Sequence, residues 1–223
     1  ERGLRQSEAV FAHVRQLANQ VENVMRMADE PLSCVCASVS PRDGDDSYMP
    51  VFSVGEMAGR AIAAAHHVPF FTTTHQRGHI RAAQVESGIT ENTFLALHLS
   101  GGTTDVLLKE GDNLTPLGTS MDLHAGQLVD RIGVALGLPF PSGPHLEALA
   151  KKGISRAKVP VSMEEETLQC HLSGAEAQLM RMIQSGENAN DIAAEVYSIL
   201  CRTVLRLLKA AAEKTNTETI LLA

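Results

Sequence analysis

From Ser7 to about Ala28, Val10, Phe11, Val14, Leu17, Val21, Val24 and Met25 recur at helical spacing, which predicts one amphipathic helix. The pattern then shortens. Residues 32–39, LSCVCASV, form an apolar run of strand length, and 40–50, SPRDGDDSYMP, hold two prolines, a glycine and three aspartates and read as a loop. Residues 54–67, VGEMAGRAIAAAHH, read as a small-residue helix, and VPFFTT after it as a second strand. Helix, strand, helix, strand in this order predicts an α/β layered fold whose strands are buried on both faces.

From residue 94 the rhythm changes. FLALHLS, TTDVLLKEG and NLTPLGT are three strand-like runs joined by glycine-containing turns, a meander of hairpins. GQLVDRIGVALGL and HLEALAKKG then read as helices on either side of the loop PFPSGP. Strand-like pieces follow near 158–172. Two more helices come next, the longer over Asp191 to about Lys214, and 218–223 reads as a final strand. No internal repeat or low-complexity segment interrupts the series. The expected organisation is the remainder of a first α/β lobe over 1–93 and a second lobe over 94–223 that opens with the meander. The chain stops inside an apolar strand and starts almost inside a helix, which suggests a piece of a longer polypeptide, truncated at both ends.

Composition narrows the functions. A net charge of −7, with 4% aromatic residues and no tryptophan, does not suit a surface that holds nucleic acid alone, because phosphate binding needs clustered Lys and Arg. An RNA substrate would need a partner or a local basic patch. Cys34, Cys36, Cys170 and Cys201 have no zinc-ribbon spacing and are expected to be reduced and buried. No apolar stretch reaches the ~18 residues of a membrane span, and no secretory leader is visible, so a cytoplasmic protein is expected.

Two short segments carry candidate chemistry. In LSGGTTDV, Leu99 to Val106, glycines between strands let backbone N–H groups approach a ligand with no Cβ in the way. Such an array suits phosphate; a plain hairpin turn has the same sequence. In FFTTTHQRGHIRAA, residues 70–83, His75 and His79 lie one helical turn apart. Two imidazoles so placed can share a metal, and two solvated histidines at a helix start have the same spacing. A zincin peptidase also needs a glutamate beside the first histidine as general base. Gln76 stands there and cannot take a proton, and Gly78 weakens a helix, so the peptidase reading fails on chemistry.

Taken in order, these segments resemble the tRNA threonylcarbamoyladenosine transferase family (TsaD-like proteins, formerly called O-sialoglycoprotein endopeptidases or glycoproteases). The resemblance rests on the strand, H-x-x-G-H, strand-SGG-T-strand, GTSMDLHAGQLVDRIGVALGLPFPSGP, HLSGAEA and the long helix into ILLA. It implies an incomplete two-lobed α/β fold of the actin-like ATPase type (actin, Hsp70, sugar kinases), with a nucleotide in the cleft. The implied reaction moves a threonylcarbamoyl group from threonylcarbamoyl-adenylate to an adenosine beside a tRNA anticodon. His75 and His79 match the family's metal histidines, so one divalent ion, iron or zinc, is implied per subunit. His98, Leu99, Ser100, Gly101 and Gly102 match the substrate-binding hairpin. Asp130 and Gly143 match two further contacts to the adenylate, the carboxylate gripping ribose hydroxyls and the glycine admitting the ring. Asp122 falls on the first acidic position of the preceding motif. The implied partners are tRNA, reached through partner subunits, and a related actin-like protein forming a homo- or heterodimer.

Several positions depart from the family pattern. The family's glycine-rich loop is replaced by the longer, acidic 40–50. Thr103 stands where a histidine is usual, Gln127 replaces a glutamate, and Asp122-Leu123-His124-Ala125 replaces an acidic pair with small residues. Ser100 occupies the place of an acidic residue in the wider superfamily, which argues against metal-bound ATP hydrolysis. His124 reads as a helix-start residue and the acidic stretch 43–46 as a solvated turn; His66, His67 and His171 carry no functional reading. These changes leave a second reading open, a diverged, non-catalytic nucleotide-binding paralogue acting as a dimerisation or regulatory partner.

Overall fold

The computed structural model describes residues 5–44 and 47–223. The chain forms two compact units, Glu1–Ala82 and Ala83–Ala223. In the first, helix α1 spans Gln6–Met27, strand β1 Val35–Ser40, helix α2 Pro50–His66, strand β2 Phe70–Thr74, and helix α3 begins at His75 and ends at Ser87. Strands β1 and β2 pair in parallel from Val35↔Phe70 onward, with α2 as the crossover between them. Gly59 sets how closely α2 lies on this pair. A Cβ there would meet the Phe70 ring at 2.8 Å and the Ala37 Cβ at 3.4 Å.

The second unit is built on a six-stranded mixed sheet. Strands β3 (Thr93–Leu99), β4 (Thr104–Glu110) and β5 (Asn113–Ser120) form the antiparallel meander expected from their alternation. Strand β8 (Ile220–Leu222) pairs in parallel with β3, and β7 (Gln169–His171) in parallel with β5; β6 (Ser162–Glu164) closes the far edge. The order is β6-β7-β5-β4-β3-β8. Gly118 admits the approach of β7, since a Cβ there would sit 2.5 Å from the Leu168 carbonyl.

Four helices complete this unit: α4 (Ala125–Ala135), α5 (Gly143–Ala150), α6 (Ser173–Gln184) and α7 (Ala189–Thr215). The sheet buries Leu95, Leu97, Val106, Leu168 and Cys170 against Leu207, Leu208 and Ala211 of α7. A second apolar core joins Leu128 and Ile132 of α4, Leu146 of α5, Leu179 of α6 and the first half of α7. Asn188 caps α7 by accepting from the Asn190 N–H at 2.8 Å, and Asn216 ends it in the left-handed conformation, φ 50°.

Two expectations need correction. The strands β1 and β2 are not buried on both faces: β1 is half-buried to exposed along its length, and Phe71 of β2 is 54% exposed. Alternation explains this, because Ala37 turns toward α2 while Cys36 and Ser38 turn to the opposite side. For the same reason the cysteines are not uniformly buried. Cys170 is, whereas Cys34, Cys36 and Cys201 are exposed; all four are free thiols.

Candidate substrate hairpin and histidine pair

The tip of the β3–β4 hairpin is held in place by main-chain contacts. Ser100 N–H donates to the Thr103 carbonyl at 2.9 Å, and the Ser100 hydroxyl accepts from the Gly102 N–H at 3.2 Å. The tip rests on the N-terminus of α4: Gly126 N–H donates to the Ser100 carbonyl at 3.3 Å, and Ala125 N–H donates to Thr104 Oγ1 at 2.8 Å. Only a glycine fits at 126, because a Cβ would lie 2.7 Å from the Ser100 oxygen and 2.8 Å from the Gly101 Cα. Around Gly101 and Gly102 the reverse holds, with nothing within 4 Å of a Cβ position. These two glycines answer no packing demand, and the space above them is open to a ligand beside a helix N-terminus.

The same helix carries Asp130. Its Oδ1 accepts from the Ser142 N–H at 2.7 Å, which fixes the turn leading into α5. Gly143 follows directly, again with open space where a Cβ would be, and its carbonyl accepts from the Tyr197 hydroxyl at 3.2 Å. Hairpin, Asp130 and Gly143 are thus linked through α4. His98 is 5% exposed on β3 and pairs in register with Asp105, whose carboxylate accepts from Thr119 Oγ1 at 2.7 Å. Leu99 is 39% exposed beside the tip.

Asp122 has a different task from Asp130. It accepts from the N–H groups of Leu123 at 2.6 Å, Leu172 at 2.8 Å and Ser173 at 3.3 Å, and from the Ser173 hydroxyl. It therefore caps α6 from 50 residues away. Burial pushes its carboxyl up, but these donors outweigh burial and hold it below the usual aspartate range. Gln127 also has a local role, its Oε1 accepting from the His124 N–H at 3.2 Å at the start of α4. His124 is the residue before the helix, as its sequence position implies.

The histidine pair lies in the first unit. Thr74 ends β2 and its Oγ1 accepts from the Arg77 N–H at 3.3 Å, while Gln76 N–H donates to the Pro41 carbonyl at 2.9 Å. These bonds satisfy the first turn of α3 and let the helix run through Gly78. The His75 and His79 rings stand edge to face, 82° apart, with their Nε2 atoms 2.9 Å from each other. Partial burial, and then the neighbouring His79, lower the basicity of His75, which favours the neutral imidazole that binds metals. Two converging Nε2 atoms fit two ligand positions of a zinc- or iron-type ion. Among the described residues no group of three or more His, Cys, Asp or Glu side chains could hold an ion. The loop before this site is tied down rather than acidic and open. Asp43 is engaged by the Arg77 guanidinium at 2.9 and 3.0 Å, which holds its carboxyl below the usual range. Asp45 and Asp46, part of the predicted solvated turn, lie outside the described residues.

Sequence reasoning missed Gly126, Thr104 and Ser142 as supports of the site. The Thr-Thr after the glycines hinted at Thr104, but nothing local marks Gly126 as the seat of a hairpin tip 25 residues earlier.

The profile of one family, TsaD: tRNA N6-adenosine threonylcarbamoyltransferase, matches residues 7–223. Relatives described as tRNA N6-adenosine threonylcarbamoyltransferase include that of Oenococcus oeni, 30% identical over 201 residues, covering 87% of this chain and 57% of the relative. That of Halalkalibacterium halodurans is 30% identical over 219 residues, covering 95% and 63%, and that of Dehalococcoides mccartyi 33% over 173, covering 76% and 53%. The chain spans about three-fifths of the length of these relatives. Among solved structures, the crystal structure of Thermococcus kodakarensis HypF (T.kodakarensis HypF) superposes with a TM-score of 0.69 at 13% identity, over 94% of this chain and 37% of that one. That likeness concerns the fold alone, and it agrees with part of a two-lobed α/β fold of the actin-like ATPase type. With a profile match over nearly its whole length, the chain belongs to the TsaD family.

Proposed function

We propose that the whole protein transfers a threonylcarbamoyl group from threonylcarbamoyl-adenylate to the N6 of an adenosine beside a tRNA anticodon. The observation that carries this reading is the hairpin Ser100–Gly102 seated on the N-terminus of α4, the helix that also bears Asp130 and leads to Gly143. The hairpin N–H groups hold the phosphate of the adenylate, with His98 and Leu99 flanking them; Asp130 takes the ribose hydroxyls and Gly143 admits the base. In the transfer, the adenosine nitrogen attacks the carbamoyl carbon and forms the new C–N bond. The bond from that carbon to the phosphate oxygen breaks, AMP leaves with the electron pair, and the nitrogen loses a proton to solvent. Activated substrate makes positioning the main demand on the protein. His75 and His79 would hold one divalent ion, iron or zinc, which when bound supplies charge stabilisation at an oxygen of the substrate.

The remaining features of this reading are a first lobe over 1–93 and a second over 94–223, tRNA presented with partner subunits, a related actin-like protein as dimer partner, and a cytoplasmic location. No described helix is long and apolar enough to cross a membrane. The net charge of −7 is what makes a tRNA-binding partner necessary. Metal analysis of the full-length protein beside a His75→Ala/His79→Ala variant, with modified-nucleoside analysis of tRNA from a reaction mixture, tests it. About one ion per chain lost in the variant, together with new threonylcarbamoyladenosine, is the expected result. Nucleotide binding without metal or product would favour the second reading, a non-catalytic paralogue. Thr103, and Gln127 used as a helix cap, favour that second reading.

A further inference from the structure

Helix α1 packs on α2, yet much of its apolar face is left open. Phe11 is 66% exposed and Val14 58%, Ala18 is exposed, and Val21 and Met25 are half-buried. These five residues follow each other at steps of three, four, three and four, the spacing of a coiled-coil seam. Val10 and Leu17, on the adjoining flank, are half-buried. On the other flank stand Arg15 and Glu22, both exposed.

We propose that this face pairs with α1 of a second copy of the chain, antiparallel, about a two-fold axis near residues 19 and 20. The charges choose the occupant. In that arrangement Val14 meets Met25 of the other copy, Ala18 meets Val21, and Phe11 meets the end of the helix near Ala28. Arg15 then faces Glu22 of the other copy, and the symmetry repeats the pair, so one self-complementary surface makes two interchain ion pairs. A parallel pairing would instead set Arg15 beside Arg15 and Glu22 beside Glu22. At 22 residues the helix is about 33 Å long, enough for an elongated seam. Glu22 also contacts Arg26 of its own helix at 2.5 Å, an exposed pair that holds the carboxylate on this side without using up its acceptors.

The test is sedimentation equilibrium on the chain and four variants, each checked by circular dichroism. The unaltered chain is expected to dimerise. Phe11→Asp/Val14→Asp is expected to be monomeric with unchanged helix content, since both residues are exposed. Arg15→Glu and Glu22→Arg each place like charges together twice, and each should weaken self-association at least about tenfold. Mixing those two single variants restores both pairs, and a heterodimer should form. A monomer up to about 100 µM, a dimer untouched by Phe11→Asp/Val14→Asp, or no recovery on mixing would overturn the proposal. None of these readouts involves catalysis or metal, so the proposal stands or falls apart from the transferase reading.

Discussion

Glu195 is 2% exposed on α7 and gathers the loop in front of it. It accepts from the Ser155 hydroxyl at 2.6 Å, the Val159 N–H at 2.9 Å and the Arg156 N–H at 3.2 Å, with Arg202 at 3.6 Å. Burial pushes the carboxyl up, but the three donors and the arginine outweigh it, leaving the group below the ordinary glutamate range. The folded chain therefore binds this proton less readily than the unfolded one. The resulting stability is present above the unfolded value of about 4.3 and is lost as pH falls through the lower folded value. Glu195→Ala should cost about 3 kcal/mol at neutral pH, because three donors are left facing no acceptor. Urea unfolding at neutral and acidic pH checks this, and the gap between variant and parent should narrow in acid.

Between elements, the decisive contact is the hairpin tip on α4. Gly126→Ala forces a Cβ against main-chain atoms that cannot step aside, and should cost about 1–3 kcal/mol. Gly101→Ala meets nothing, so its stability should stay within about 0.5 kcal/mol of the parent. Both should lower affinity for an adenylate analogue, the first by moving the hairpin and the second by filling the space above it. Thermal unfolding beside calorimetric titration separates the two effects; a Gly101→Ala variant that binds as well as the parent would remove the hairpin from the site. This contact also marks the limit of sequence reading. The meander β3–β5 was legible almost to the residue, since alternation and glycine turns are local. The pairing of β8 with β3, the insertion of β7 beside β5, and the cap that Asp122 gives α6 join residues 50 or more apart, and no local pattern encodes them. The candidate site residues were legible through their family motif, whereas the roles of Asp122 and Gln127 as caps emerge only once the helices are in place.

Across the whole molecule, the two units differ in how well they shield their backbone. Strands β3 and β4 are buried along most of their length, while β1 and β2 are half-exposed. Hydrogen exchange should accordingly be slowest in β3 and β4 and in the middle of α7, and markedly faster in β1 and β2. Equal protection in both sheets would contradict this burial pattern. The exposed Cys34 and Cys36 offer a second readout, since a thiol reagent should label them, and Cys201, well before Cys170.

Helix α7 has a consequence for how the second unit comes apart. Its first half is buried with α4, α5 and α6, through Ile192, Ala193, Val196 and Ile199, and its second half lies on the sheet through Leu207, Leu208 and Ala211. A single rod of 27 residues, about 40 Å long, is thus clamped at both ends. Neither core can melt while the other keeps its grip without breaking that rod in the middle. The two cores share one fate, and heat should release them in a single step.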